Sequence, residues 1–175
     1  MLEFLYNLFC TRRKPKRKAA GCFFTDGKHV LAGYQPYKKN PIISGIGGTC
    51  EFGESWFNTT IREMFEELFD IQTLPKEFVS RIYKEVPYRS KHTTDNYTFS
   101  VYSFKDLRAI LKIASEAGFT SPFYPKGFPT TIADLVFRRD YSTSTEVCQL
   151  VLLPYTKTMV IDEDFIKDIQ ALKIN

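Results

Sequence analysis

Residues 48–70 read GTCEFGESWFNTTIREMFEELFD, and the rest of the chain is organised around them. Gly45, Gly47, Gly48 and Gly53 form a glycine-rich loop that leads through Glu54 and Ser55 into Phe57, Ile61, Met64 and Leu68. Those four apolar residues recur at helical spacing, so one face of a helix is apolar. Glu63, Glu66 and Glu67 stand at i, i+3 and i+4, which brings their carboxylates together on neighbouring turns of the other face. Three carboxylates so close repel one another unless a cation neutralises them, and hard divalent ions prefer oxygen ligands. Arg62 adds one positive charge beside them. The plainer reading of the same cluster is a solvated acidic helix face.

The surrounding spacing favours the metal reading. Gly48, five residues, Glu54, seven residues, then Arg62-Glu63-Met64-Phe65-Glu66-Glu67 resembles the Nudix box, G-x5-E-x7-R-E-U-x-E-E-x-G-U, where U is aliphatic. The detailed resemblance covers 23 residues, and a looser one in strand order runs from Ala20 to the C-terminus. It implies an α/β Nudix fold, with a mixed twisted β-sheet sandwiched between the box helix and a C-terminal helix. It also implies a hydrolase that uses Mg²⁺ or Mn²⁺ to cleave a phosphoanhydride. By box position Glu63, Glu66 and Glu67 are then the metal ligands, with the Gly48 carbonyl a fourth candidate. Glu54 and Arg62 orient those carboxylates. The general base stays open among Glu63, another box glutamate, Asp134, Asp140 and Glu146. One departure stands out: Phe69 replaces the glycine that normally ends the helix, and Asp70 takes the aliphatic position. The helix is therefore expected to run on towards Ile71, with Phe69 affecting the helix end and local packing only.

A length of 175 residues suits one domain, and 43% hydrophobic with 25% charged residues is an ordinary globular composition. Cys10, Cys22, Cys50 and Cys148 show no C-x-x-C spacing, which argues against a zinc site or disulfide framework and for a reducing, intracellular compartment. A cytoplasmic location is expected, with nuclear import an option from the basic run. The net charge of +4 resides at one end: Arg12, Arg13, Lys14, Lys16, Arg17 and Lys18 are basic, while residues 19–175 hold 18 basic against 19 acidic residues.

Taken in order, residues 1–19 are an apolar start followed by this basic tail, and residues 20–175 are the expected Nudix domain. Met1 to Cys10 is too short to span a bilayer, and the basic run follows it instead of preceding it as in a secretory signal. Leu2, Leu5 and Phe9 fit a packed or frayed terminus, or peripheral membrane contact with Cys10 as an acylation site. Ala20 to Tyr34 reads as a hairpin with a type I′ turn at Asp26-Gly27. Residues 41–44 re-enter the sheet. Phe78 to Val86 and Tyr97 to Phe104 read as paired strands around a polar loop, Tyr88 to Asn96. Residues 105–144 form an insert: a helix at Asp106 to Glu116 stopped by Gly118, then a Pro- and aromatic-rich loop, Phe119 to Thr130. That loop either covers the core or stacks on a base. Val147 to Leu153 is a buried strand and Asp162 to Lys173 a closing helix.

The box specifies a pyrophosphate, and the variable loops specify what is attached to it. The candidate substrates are the 5′ cap of mRNA, small nucleoside diphosphate-linked molecules (dinucleoside polyphosphates, ADP-ribose, nucleoside triphosphates) and diphosphoinositol phosphates. The basic segment, the aromatic loop and a general likeness to compact Nudix proteins of large DNA viruses favour capped RNA. RNA contact is then expected through Arg12, Arg13, Lys14, Lys16, Arg17 and Lys18. A non-catalytic Nudix-fold binding module is the third reading, separated from the others by metal-dependent turnover.

Overall fold

The computed structural model describes residues 18–38, 41–94, 96–143, 145–154 and 164–167. The apolar start, the basic run before Lys18 and most of the expected closing helix lie outside these residues. Seven strands form one mixed sheet: β1 (Ala19–Thr25), β2 (His29–Gln35), β3 (Ile42–Ser44), β4 (Ile46–Thr49), β5 (Ser90–Thr93), β6 (Tyr97–Ser103) and β7 (Gln149–Pro154). Among the described residues the helices α1 (Trp56–Phe69), α2 (Lys76–Glu85), α3 (Phe104–Glu116) and α4 (Ile132–Phe137) accompany them, with a further helical stretch at 164–167. Among the described residues no helix is long and apolar enough to cross a membrane.

β1 runs parallel to β6 in register from Ala19↔Tyr97 to Thr25↔Ser103, and the other pairings are antiparallel. β1 and β2 pair only at Thr25↔Val30. Beyond that point β1 pairs with β4, and β2 pairs with β3 and β7, so the sheet forks. The consecutive strands β3 and β4 span the fork. Alternation along β1 sends Cys22 and Phe24 into a core with Ile61, Met64 and Leu68 of α1, and Phe23 into a second core on the other face. Phe165, from the helical residues 164–167, seals that second core against Phe23. The sheet is thus covered on both faces.

Several local readings are corrected. The hairpin turn is not type I′, because only Gly27 has a positive φ (84°), where type I′ needs two such residues. Instead the Asp26 carboxylate accepts the N–H groups of Lys28 and His29 at 2.8 and 2.7 Å, closing a three-residue loop. Part of the glycine-rich loop is strand β4. The expected strand Phe78 to Val86 is helix α2: Phe78 and Ile82 fit both a period of two and a period of 3.6, but a strand would also have buried Ser80 and Lys84. The Arg81–Glu85 pair at i, i+4 supports the helix. β6 pairs instead with β5, inside the segment expected to be a polar loop. The expected helix near Asp106 is present, capped by mutual bonds between Ser103 and Asp106 and followed by Gly118 at φ 76°.

α1 does not run on to Ile71. Asp70 itself takes the left-handed conformation (φ 57°, ψ 39°), which aspartate tolerates better than most residues, and its N–H returns to the Glu66 carbonyl at 2.8 Å. Phe69 is thereby released from capping and is fully buried, 4.6 Å from the Phe128 ring and 5.3 Å from Phe65. The aromatic loop is the other half of this contact. Phe119, Phe123, Tyr124 and Phe128 pack on the core beside α1, so the loop covers the core and is not an open stacking wall. Phe69→Gly is expected to remove a buried ring and lower stability by about 3–5 kcal/mol. Urea unfolding checks this, and an unchanged midpoint would contradict the packing role.

Candidate metal and substrate site

Ser55 starts α1 by accepting the Asn58 N–H at 3.2 Å, and Thr60 Oγ1 donates to the Gly21 carbonyl at 3.3 Å, docking the helix on β1. The polar face of α1 is thereby held over the loop that carries Glu54. Arg62 is the hub. Its Nε and Nη2 donate to the two oxygens of Glu54, both at 3.1 Å, and Nη2 also donates to the Thr49 carbonyl at 3.0 Å. Nη1 stands 2.9 Å from Glu63 and 3.2 Å from Glu66. Glu54 is further held by Thr59 Oγ1 (2.8 Å) and the Glu51 N–H (3.1 Å). Burial opposes the ionised form of Glu54, but Arg62 and these donors outweigh it and hold its carboxyl below the usual range.

Glu67 lies deepest. Its carboxylate accepts the Gly47 N–H at 2.8 Å. Burial pushes its pKa well above the ordinary range; the Gly47 bond opposes this, and the charges of Glu146, Glu63 and Glu66 add to it. Glu63 is raised in the same direction by burial, with Arg62 offsetting part of the effect. Gly48 faces the Glu63 carboxylate so closely that a β-carbon there has no room. The loop needs glycine at that point for the carboxylate to approach the backbone.

A pocket of about 200 Å³ opens between these groups, lined by Glu63, Glu66, Glu67, Asp70 and Glu146 with Gln72, Thr145 and Val147. Among its described lining residues are five carboxylates and no basic side chain. Among the described residues no three of them converge tightly enough to hold an ion as they stand, since Arg62 engages Glu63 and Glu66 and Gly47 engages Glu67. The donor set nevertheless fits a hard divalent cation: oxygen ligands in excess of local positive charge around one pocket. Of the three outlying carboxylates weighed as a base, only Glu146 belongs here. Asp134 pairs with Arg138 at 3.3 Å in the first turn of α4, where Thr131 accepts its N–H, and Asp140 is exposed beside Phe123.

Glu146 also edges a second, larger cleft of about 570 Å³ at the fork of the sheet, where Lys38 approaches it to 2.7 Å. Sequence patterns do not reveal this cleft, nor the places of Asp70 and Arg139. Arg139 is buried 72 positions from Glu67, and it donates to the carbonyls of Leu68 (2.6 Å), Glu67 (3.0 Å) and Val147 (2.8 Å), with its guanidinium 3.9 Å from the Phe123 ring centre. It ties the end of α1 to the segment bearing Glu146. A single arginine in an unremarkable stretch carries no signal of this role.

No protein-family model and no curated protein matches the sequence. Among solved structures the chain is similar to the bifunctional NMN adenylyltransferase/ADP ribose pyrophosphatase of Francisella tularensis, with a TM-score of 0.56 at 14% identity over 99% of this chain. The same protein complexed with AMP and a Mn ion matches with a TM-score of 0.56 at 13% identity. This chain spans 45% of the length of that protein. It is also similar to the Nudix hydrolase RenU of M. smegmatis (TM-score 0.49, 13% identity, 91% of this chain and 84% of that one). The chain has the Nudix fold, and the stretch that resembles the box is residues 48–70.

Arg139→Met is expected to take this donor from the carbonyls of Glu67 and Leu68, to leave that of Val147 with Thr145 Oγ1 alone, and to lower stability by about 3 kcal/mol or more. Chemical denaturation measures it. A variant as stable as the parent would show that Arg139 does not hold these segments together.

Proposed function

We propose that the chain is a divalent-metal-dependent hydrolase of phosphoanhydride bonds. The observation that carries this reading is the pocket in which, among the described residues, four carboxylates of the box-like stretch and Glu146 meet without a basic side chain, on a Nudix fold. Glu63, Glu66 and Glu67 would hold Mg²⁺ or Mn²⁺, with the Gly48 carbonyl beside Glu63. When bound, the ion would shield the diphosphate and stabilise charge on the leaving oxygen. Arg62, fixed at two points by Glu54, sets the orientation of Glu63 and Glu66, and the Gly47 N–H sets that of Glu67. Glu146 is the proton acceptor in this reading, because it is exposed and lines both the carboxylate pocket and the adjoining cleft. A water between the two spaces can lose its proton to Glu146 as it attacks phosphorus.

The substrate we favour is capped RNA, on the strength of the basic run Arg12 to Lys18, six charges in seven residues ahead of a nearly neutral remainder. A small nucleoside diphosphate-linked substrate is the second reading, supported by the Francisella relative, an ADP ribose pyrophosphatase solved with AMP and Mn. A panel of capped RNA, dinucleoside polyphosphates, ADP-ribose, nucleoside triphosphates and diphosphoinositol phosphates, assayed with Mg²⁺ and with Mn²⁺, tests both. No metal-dependent turnover on any of them would leave a binding module.

Glu66→Gln and Glu67→Gln are each expected to lower turnover about a hundredfold or more with the fold intact. Glu67→Gln should also raise thermal stability without metal, because it removes a charge from a buried acidic cluster, and added metal should cancel that gain. Full activity of both variants at saturating Mg²⁺ would sink the assignment.

Replacing the six basic residues by Gln is expected to weaken binding of long capped RNA and leave hydrolysis of a small dinucleotide unchanged. For every phosphate that the tail no longer neutralises, the slope of log affinity against log salt should fall by about 0.7. Equal slopes for the two proteins would remove the argument for RNA.

A further inference from the structure

Lys38 lies just past the end of β2, and its Nζ stands 2.7 Å from Oε1 of Glu146. Both side chains are open to water, 47% and 59% exposed. An exposed pair of single charges shifts an equilibrium by about fivefold or less, so this pair is easily exchanged. The backbone beneath it is tied more firmly. Pairing of β2 with β7 runs from His29↔Pro154 to Tyr34↔Gln149, and the Cys148 N–H extends it by donating to the Tyr34 carbonyl at 2.9 Å. This ladder keeps the chain at Lys38 close to the chain at Glu146 whichever way the two side chains turn.

Glu146 lines both the carboxylate pocket and the fork cleft, and Lys38 lines the cleft. A diphosphate drawn to the pocket meets Glu63, Glu66, Glu67, Asp70 and Glu146, and no basic side chain among its described lining residues. Lys38 brings an ammonium to a carboxylate that the two spaces share. A phosphoryl group attacked by a water that loses its proton to Glu146 has its oxygens within reach of that same ammonium, because the water bridges the two groups. Phosphate oxygens accept charge-assisted bonds as carboxylates do, and a diphosphate carries the larger charge. While Lys38 stands on Glu146 it occupies Oε1; once it has left, both oxygens are open to a donor.

We propose that Lys38 is a catalytic residue that trades partners: it holds Glu146 until a diphosphate arrives and then passes to a phosphate oxygen, which frees Glu146 for the attacking water. The water oxygen bonds to phosphorus, the bridging P–O bond breaks with its electron pair staying on the departing group, and the proton of the water ends on Glu146. Lys38 lies outside the stretch that resembles the box, so that pattern assigns it no part. The inference rests on the hydrolase reading for its diphosphate and on the Lys38–Glu146 pair for the exchange.

Methylenediphosphonate, whose P–C–P bridge water does not cleave, separates binding from turnover. It is titrated by calorimetry, in saturating Mg²⁺, into the full chain and into Lys38→Gln, Lys38→Arg, Glu146→Gln and the double variant with both Gln substitutions. Lys38→Gln is expected to weaken binding about tenfold, and Lys38→Arg to restore most of it. The decisive comparison is in the Glu146→Gln background, where Lys38→Gln should again cost about tenfold, because the ammonium touches the phosphonate. If Lys38 only offsets the charge of Glu146, the second substitution changes nothing there and the inference fails. It fails equally if Lys38→Gln lowers turnover while leaving the affinity for the analogue unaltered, the mark of a residue that only positions Glu146. A parent chain that does not bind the analogue overturns it as well. Both side chains are exposed, so all four variants should melt with the parent. The hydrolase reading fails on a different result, the absence of metal-dependent turnover of any diphosphate by the parent.

Discussion

The two-point bond between Arg62 and Glu54 is the contact on which the site depends. A guanidinium engaged by both oxygens of one carboxylate has little freedom left, and its remaining donors therefore point at fixed places: Thr49 on one side, Glu63 and Glu66 on the other. Without that cation the box would bring several carboxylates together at a cost that burial makes larger. With it, the cluster keeps a net negative charge and a fixed arrangement of its carboxylates. The loop before the helix and the helix itself are thus joined through charge as much as through packing.

A second anchor acts from behind. Where the family pattern ends the box helix with glycine, this chain has a buried phenylalanine and moves the left-handed residue one position on, to Asp70. The exposed apolar surface that this would create is covered by the aromatic loop at residues 119–130, and Arg139 closes the arrangement by donating to the last carbonyls of the helix. The long segment between β6 and β7 therefore compensates for Phe69, and it holds Glu146 beside the box. Packing and site geometry are linked at this point: the chain that shields Phe69 also delivers the fifth carboxylate.

How much is legible in the sequence follows from the range of each interaction. The acidic face of α1 and the place of Arg62 beside it depend on residues within one or two helical turns, so spacing alone reveals them. The hairpin at residues 19–35 is also readable, though its turn type is not, because Asp26 closes the loop through its side chain. Residues 76–85 read as a strand and fold as a helix. Apolar residues four apart satisfy both periods, and only the polar residues between them distinguish a helix. The segment at residues 90–93 gives no strand signal, because an edge strand of Ser, Lys, His and Thr buries little and so shows no apolar pattern.

The sequence by itself determined which carboxylates share a face of α1 and which arginine accompanies them. Local spacing fixes those relations whatever the remainder of the chain does. Only the tertiary structure decided that Glu146, and not Asp134 or Asp140, joins the carboxylates, that Arg139 holds the helix end, and that Lys38 stands against Glu146. Each of these rests on contacts between residues far apart in the chain. Such contacts are made by β pairing and core packing, which no local pattern encodes.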